Sequence, residues 1–156
     1  MYNSLKRKTH ASAFIEIAIS LSVMILLTAL GSDLTLITLG MFLNDKACRD
    51  ATRAAAQQSS SSSALTAAQT QLKVHSTDGI FISQPTLVSQ SSPDFVYNDY
   101  GGNPPANQSS FVTVTTTVNI KLPAPILFYG VSFLPSGFVQ FTRRYTYPII
   151  RVKFYG

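Results

Sequence analysis

The chain has 156 residues, of which 46% are hydrophobic and 12% are charged, and its formal net charge is +5. This length leaves room for one membrane segment and one small domain. The basic residues are scattered and form no run beside a stacking platform, which argues against nucleic-acid binding. The single cysteine, Cys48, excludes a disulfide within the chain and a metal site built from several cysteines.

The first element is a basic leader, residues 1-11, whose charges are Lys6, Arg7 and Lys8. Residues 12-42 are predicted to form a transmembrane helix, because about 20 mainly apolar residues cross a bilayer as a helix. Basic residues beside a membrane helix stay in the cytoplasm, which predicts a cytoplasmic N-terminus and an extracytoplasmic C-terminus. A cleaved signal peptide is the alternative, but its apolar core is usually only about 7–15 residues long.

One carboxylate, Glu16, lies inside this apolar segment. A charged side chain near the centre of a bilayer costs about 2.5–3.5 kcal/mol and usually marks function. The functional interpretation is that Glu16 pairs with a cation on a neighbouring helix. Two other interpretations stay open, namely that the carboxylate reaches the headgroup level or that it is protonated. Asp33 is predicted to mark the outer boundary of the membrane.

Small and hydroxylated residues share one side of the predicted membrane helix with Glu16, at about 100° per residue. Membrane helices use such residues where their backbones approach one another, which predicts a surface for helix packing. Simple tolerance of serine and threonine in a single span is the competing interpretation. The residues of this stripe are Ala13, Ser20, Thr28, Gly31, Thr35 and Thr38.

Residues 43-75 are predicted to continue outside the membrane as an alanine-rich helix, a serine-rich joint and a short second helix. Asp45 and Arg49 have the favourable i,i+4 order for an ion pair on the first helix. Cys48 is expected to be a small buried residue. The five serines 59–63 are expected to break the helix as a flexible joint. His75 ends the second helix and is expected to be a capping or surface residue.

Residues 76-156 are predicted to form a β-rich head, so the fold class is α+β with a small antiparallel sheet. GIFIS and TLVS are short strand candidates, and residues 122–137 are expected to contain a turn of helix. A charge-protected edge strand is predicted from Phe138, with a bend or break at Pro148. In the strongest strand, FVTVTTTVNIKL, alternation predicts one buried and one solvent-exposed face. The buried side would be Val112, Val114, Val118 and Ile120, and the exposed side Thr113, Thr115, Thr117 and Asn119.

No catalytic constellation is recognisable in the sequence. Only two histidines are present, His10 and His75, and Cys48 falls in the middle of a predicted helix. The acidic residues show no spacing typical of a metal site or of an acid/base couple. The sequence therefore predicts neither an enzyme nor a cofactor or metal site.

The N-terminal residues resemble the type IV pilin superfamily, and specifically the TadE-like pseudopilins (minor pilins) of tight-adherence (Tad) pilus systems. The family pattern is a short basic leader ending in a small residue, four mainly apolar residues, a glutamate and a long apolar helix. Here these parts are KRKTHA, SAFI, Glu16 and IAISLSVMILLTALG. The alanine-rich stretch ACRDATRAAAQ and a small β-rich C-terminal region are similar too. Ala11 stands where glycine is commonest in the family.

The resemblance implies cleavage by a membrane prepilin peptidase between Ala11 and Ser12. The freed amine of Ser12 in one subunit would then neutralise Glu16 of another, and such a pair in low dielectric sets the register between helices.

The resemblance also implies a place in the bacterial inner membrane, with a cytoplasmic N-terminus and a periplasmic head. The function implied is assembly of a pilus for cell adhesion or of a related secretion apparatus. The partners would be membrane lipid, the peptidase, other pilins and the assembly machinery. The alternative function is an extracytoplasmic binding domain whose single membrane helix is only a tether.

Overall fold

The computed structural model describes residues 2–123, 127–128, 131–132 and 137–149, and the side chains of residues 13–123 and 137–149. The fold is α+β, as predicted. Helix α1 (Tyr2–Ala56) and helix α2 (Ser61–Val74) precede the strands. The strands are β1 (Thr86–Leu87), β2 (Phe95–Asn98), β3 (Phe111–Lys121), β4 (Leu127–Phe128), β5 (Val131–Ser132) and β6 (Phe138–Pro148), with a 3-10 turn at Tyr100–Gly102.

Helix α1 joins the predicted membrane segment and the predicted alanine-rich helix without interruption. Its sequence contains no proline and ends in the strong helix former alanine. The part from Ala13 onwards contains an apolar window long enough to cross a membrane, and no residue of that window is buried in the head. The helix is therefore compatible with a single-pass membrane anchor.

The serine-rich joint is shorter than predicted. Ser60 is the N-cap of α2, and its side chain accepts a hydrogen bond from the amide of Ser63 at 3.3 Å. Three of the five serines consequently form the first turn of α2 instead of a loop. The prediction was wrong there because serine at an N-cap starts a helix as readily as serine in a loop ends one.

The main sheet is antiparallel and is built around β3. Strand β6 pairs with β3 along its whole length, while β1 and β2 pair with successive parts of the other edge. Strand β6 is an edge strand within the described part of the chain, as predicted, and it ends at Pro148. The GIFIS segment contributes only an isolated bridge, between Ile82 and Ile120.

Two further expectations need correction. Within residues 122–137, β4 and β5 form an antiparallel pair where a turn of helix was expected. Residues 124–126, 129–130 and 133–136 lie outside the described residues, as do residues 150–155 of the predicted last strand. On β3 the alternate valines and Ile120 are buried as predicted, but Thr113 and Thr115 are buried too. A central strand has a neighbour on each side, and Thr113 Oγ1 lies 2.8 Å from Thr146 Oγ1 of β6.

The second half of α1 lies across one face of the sheet and forms two hydrophobic clusters. In the upper core, alanines of both helices pack with Phe95, Val112 and Val114. In the lower core, Ile82, Val118 and Ile120 are buried, with Leu36 and Leu43 packed against them. The small alanine side chains let both helices approach the sheet closely, so the head is held to one side of α1.

Candidate functional site: the two sides of the long helix

Beyond the apolar N-terminal half, α1 has two different sides. Its head side is buried and carries Asp33, Gly40, Asn44 and Cys48, of which the last three contact the sheet. At about 100° per residue, the middle of this side lies roughly 150° from the middle of the predicted packing stripe. The head therefore leaves the stripe uncovered. All six stripe residues and Glu16 are exposed.

Gly40 and Asn44 fix the head side to the sheet. A Cβ atom at Gly40 would lie 2.3 Å from Cδ1 of Ile120, so any larger residue would force the buried Ile120 side chain to move. Asn44 is fully buried, donates to the carbonyl oxygen of Phe141 at 3.0 Å and accepts from the Thr116 hydroxyl at 2.8 Å. One side chain thus joins α1 to both β3 and β6.

Sequence reasoning missed these two residues, although one signal was present. Gly40, Asn44 and Cys48 follow one another at intervals of four, the spacing of one helix face. Cys48 is buried, as predicted, and its thiol lies 3.4 Å from the Val114 carbonyl oxygen. Burial raises the pKa of the Cys48 thiol, because an apolar environment disfavours the thiolate.

Charged and tyrosine side chains connect α1 to β6 at the edge of their contact. The predicted ion pair between Asp45 and Arg49 is present. The Tyr145 hydroxyl donates to Asp45 Oδ1 at 2.6 Å and accepts from Arg49 Nε at 3.1 Å. The pKa of Asp45 is lowered, chiefly by the Tyr145 hydrogen bond and also by Arg49. One turn further on, the Arg53 guanidinium lies 5.6 Å from the centre of the Tyr147 ring.

The predicted membrane residues lie along one helix, with Ser12 and Glu16 one turn apart. Among the described residues, Glu16 makes no hydrogen bond or ion pair. The backbone of Ala11 and Ser12 is helical, but their side chains lie outside the described residues. Asp33, the predicted membrane boundary, is only 4% exposed and lies on the head side.

The three threonine hydroxyls of the stripe are satisfied within α1 itself. Thr28, Thr35 and Thr38 each donate to the carbonyl oxygen four residues earlier, at 2.8 Å. These bonds remove the need for a polar partner at the three threonines, so this part of the stripe offers small side chains for close packing. Both interpretations of the stripe, packing and tolerance, are compatible with this geometry.

An apolar patch extends the stripe alongside the head. It consists of Leu34, Thr35, Thr38, Leu39 and Phe42, which line a shallow groove of about 500 Å³, and we call it the outer apolar patch. Leu34 and Phe42 are each 64% exposed. On the opposite side of the same turns, Leu36 and Gly40 are covered by the lower core.

A second groove, of about 550 Å³, lies between α2 and the segment that contains β1, and Gln69, Lys73, Gln84 and Gln90 are among its lining residues. Near the end of α2, His75 Nε2 lies 3.2 Å from Asp50 Oδ2, and His75 caps the helix as expected. Within the part of the chain that the structure describes, no three histidine, cysteine or acidic side chains are grouped as metal ligands.

No protein-family model, curated protein or solved structure matches this chain.

Proposed function

We propose that the chain is a minor pilin or pseudopilin, anchored in the bacterial inner membrane and taking part in assembly of a tight-adherence pilus or a related secretion apparatus. The observation that carries the proposal is the length of exposed apolar helix. From Ala13 to Ser32, α1 covers about 30 Å, which is the thickness of the hydrocarbon core. The exposed apolar surface continues to Phe42, about 15 Å further.

The outer apolar patch needs a cover other than lipid. The head begins at the level of Asp33 and Leu36, so hydrocarbon cannot rise along α1 without burying the polar groups of the head. Exposed apolar surface at this height marks a protein interaction site. The stripe runs into the patch at Thr35 and Thr38, which favours another helix of the same kind, displaced along its axis, as the partner.

Glu16 has a role in this assembly. It lies on the same side of α1 as the patch, where a neighbouring helix would pass. After cleavage by a prepilin peptidase between Ala11 and Ser12, the free amine of Ser12 of a neighbouring subunit would neutralise the carboxylate. The N-terminus would be cytoplasmic before cleavage, and the head periplasmic.

Two measurements test the proposal in cells that make the filament. Mass spectrometry of the mature N-terminus should find Ser12. Replacing Glu16 by alanine should leave membrane insertion intact and abolish co-assembly with other pilins. The control is the replacement of Val88, an exposed residue of the head, by alanine, which should leave both insertion and co-assembly intact. An N-terminus at Met1 together with normal assembly of Glu16→Ala would refute the proposal.

Those results would favour the second candidate, a tethered binding domain. The groove between α2 and the β1 segment is the observation in its favour, since its open volume suits a small ligand or peptide. In that case α1 serves only to hold the head at the membrane, and substitutions in the groove, such as Lys73→Ala, would remove function while the N-terminus stayed uncut.

A further inference from the structure

The lower end of the head lies close to the membrane-spanning part of α1. Strand β3 runs antiparallel to α1, because Val114 lies beside Cys48, Thr116 beside Asn44 and Ile120 beside Gly40. The C-terminal end of β3 is therefore the end that points towards the bilayer.

Exposed apolar side chains gather at this end. Ile80 is 70% exposed, Phe81 36% and Phe138 41%. They come from separate parts of the chain that meet at Lys121, whose amide donates to the Phe81 carbonyl oxygen at 2.7 Å and whose strand partner is Phe138. We call Ile80, Phe81, Lys121 and Phe138 the membrane-proximal rim.

The height of the rim matches the lipid headgroups. Gly40 lies about 10 Å beyond Asp33 along the helix axis. Ile120 lies beside Gly40, and the rim follows Ile120 in the direction of the bilayer. The rim is therefore less than about 10 Å from the level of Asp33 along the helix axis. Since the headgroup layer extends about 5–8 Å beyond the hydrocarbon core on each side, apolar side chains at this level reach lipid.

The rim carries one positive charge, and Asp78, close to it in sequence, carries one negative charge. Lys121 is exposed, and the neighbouring Asp78 carboxylate accepts hydrogen bonds from the amides of Ile82 and Phe81 at 3.0 and 3.3 Å. These backbone bonds lower the pKa of Asp78, so the carboxylate stays ionised. The segment that leaves the rim, residues 122–137, contains no charged residue. Apolar contact, not attraction to anionic lipid, is thus the interaction that the rim can make.

We propose that the membrane-proximal rim inserts its apolar side chains into the headgroup layer of the outer leaflet, as a second membrane contact besides the helix. The inference rests on the membrane anchor of the proposed function. Because the head would contact the bilayer beside α1, it would limit the tilt of α1 relative to the membrane normal. The outer apolar patch would therefore stay facing sideways, in the plane where neighbouring subunits lie.

The absence of tryptophan from the sequence makes a direct test available. Single tryptophans at Ile80 and Phe81 report on the rim, and a tryptophan at Ile25 reports on the anchor. The matched control is Val88→Trp, since the Val88 amide pairs with Thr115, about 16 Å further along β3 from Ile120. The full chain is reconstituted in phosphatidylcholine vesicles without bromine, with acyl chains brominated near the headgroup for the rim reporters, or with acyl chains brominated near their ends for Ile25→Trp.

The expected result is that brominated lipid removes most of the emission of Ile80→Trp and Phe81→Trp, independently of salt, and leaves that of Val88→Trp unchanged. Adding Ile80→Asp to Phe81→Trp should restore its emission. If the rim reporters are unquenched while Ile25→Trp is quenched, the inference about the rim is overturned and the membrane anchor stands. The same result is expected if a second copy of the chain covers the rim in place of lipid. An unquenched Ile25→Trp would instead overturn the anchor and the proposed function.

Discussion

Replacing Asn44 by alanine is expected to loosen the attachment of α1 to the sheet more than any surface change on the same helix. The substitution removes hydrogen bonds to the Phe141 carbonyl and the Thr116 hydroxyl, each worth about 0.5–1.5 kcal/mol net. The carbonyl keeps a bond from Thr117 Oγ1 at 3.3 Å, but the Thr116 hydroxyl is left buried without its acceptor, which costs about 1–3 kcal/mol. The lost bond to Phe141 and the unsatisfied Thr116 hydroxyl together give a total loss of about 1.5–4.5 kcal/mol.

Urea unfolding of the full chain in detergent micelles, followed by the near-ultraviolet circular dichroism of the tyrosines, measures this loss. The matched control is Gln57→Ala, an exposed amide near the end of α1, which should change the free energy of unfolding by less than about 0.5 kcal/mol. The double variant with Thr116→Val should be less destabilised than the sum of its parts. Equal losses for Asn44→Ala and Gln57→Ala, with additive effects, would refute the reasoning.

Three further predictions concern α1. Gly40→Ala should destabilise the packing of α1 on the head by about 1–3 kcal/mol, because the new Cβ meets Ile120, and about 1 kcal/mol of this is offset by the higher helix propensity of alanine. Gly31→Ala is the matched control: its Cβ has nothing within 4 Å, so it should stabilise α1 through helix propensity alone. Because the pKa of Asp45 is lowered, the stabilisation of the fold by the ionised carboxylate is present near neutral pH and is lost as pH falls below about 4. In Asp45→Asn the free energy of unfolding should therefore depend less on pH in the acid range. The buried Cys48 thiol should react with maleimide only on unfolding; fast labelling of the folded chain would contradict its burial.

The elements that local sequence determines could be predicted, and those that depend on distant neighbours could not. The length of α1 follows from an apolar, alanine-rich sequence free of proline, and the buried valines of β3 follow from strict alternation. The burial of Thr113 and Thr115 depends on β3 being central, which its own residues do not specify. Which serine of the run begins α2 depends similarly on where α2 packs, because all five have the same local preference.

The candidate sites divide in the same way. Glu16 and the stripe were visible because a carboxylate and a row of small residues contrast with an apolar segment. The membrane-proximal rim was not, because Phe81, Lys121 and Phe138 are separated in sequence and meet only through strand pairing. The outer apolar patch becomes visible only once the head is placed, since Leu39 and Phe42 are unremarkable until the other side of their helix is known to be covered.

Two consecutive residues of α1 provide the sharpest test of its two sides. Phe42 belongs to the outer apolar patch, and Leu43 packs into the lower core against Ile82, Val118 and Ile120. In detergent micelles, Leu43→Ser should lower the free energy of unfolding of the full chain by about 2 kcal/mol, because a leucine packed against the core is lost, whereas Phe42→Ser should lower it by less than about 0.5 kcal/mol. Phe42→Ser should nevertheless fail in co-assembly although it folds normally, because the neighbouring helix loses its apolar contact. Normal co-assembly of Phe42→Ser would show that the patch is not a subunit contact, while Leu43→Ser reports independently on the fold.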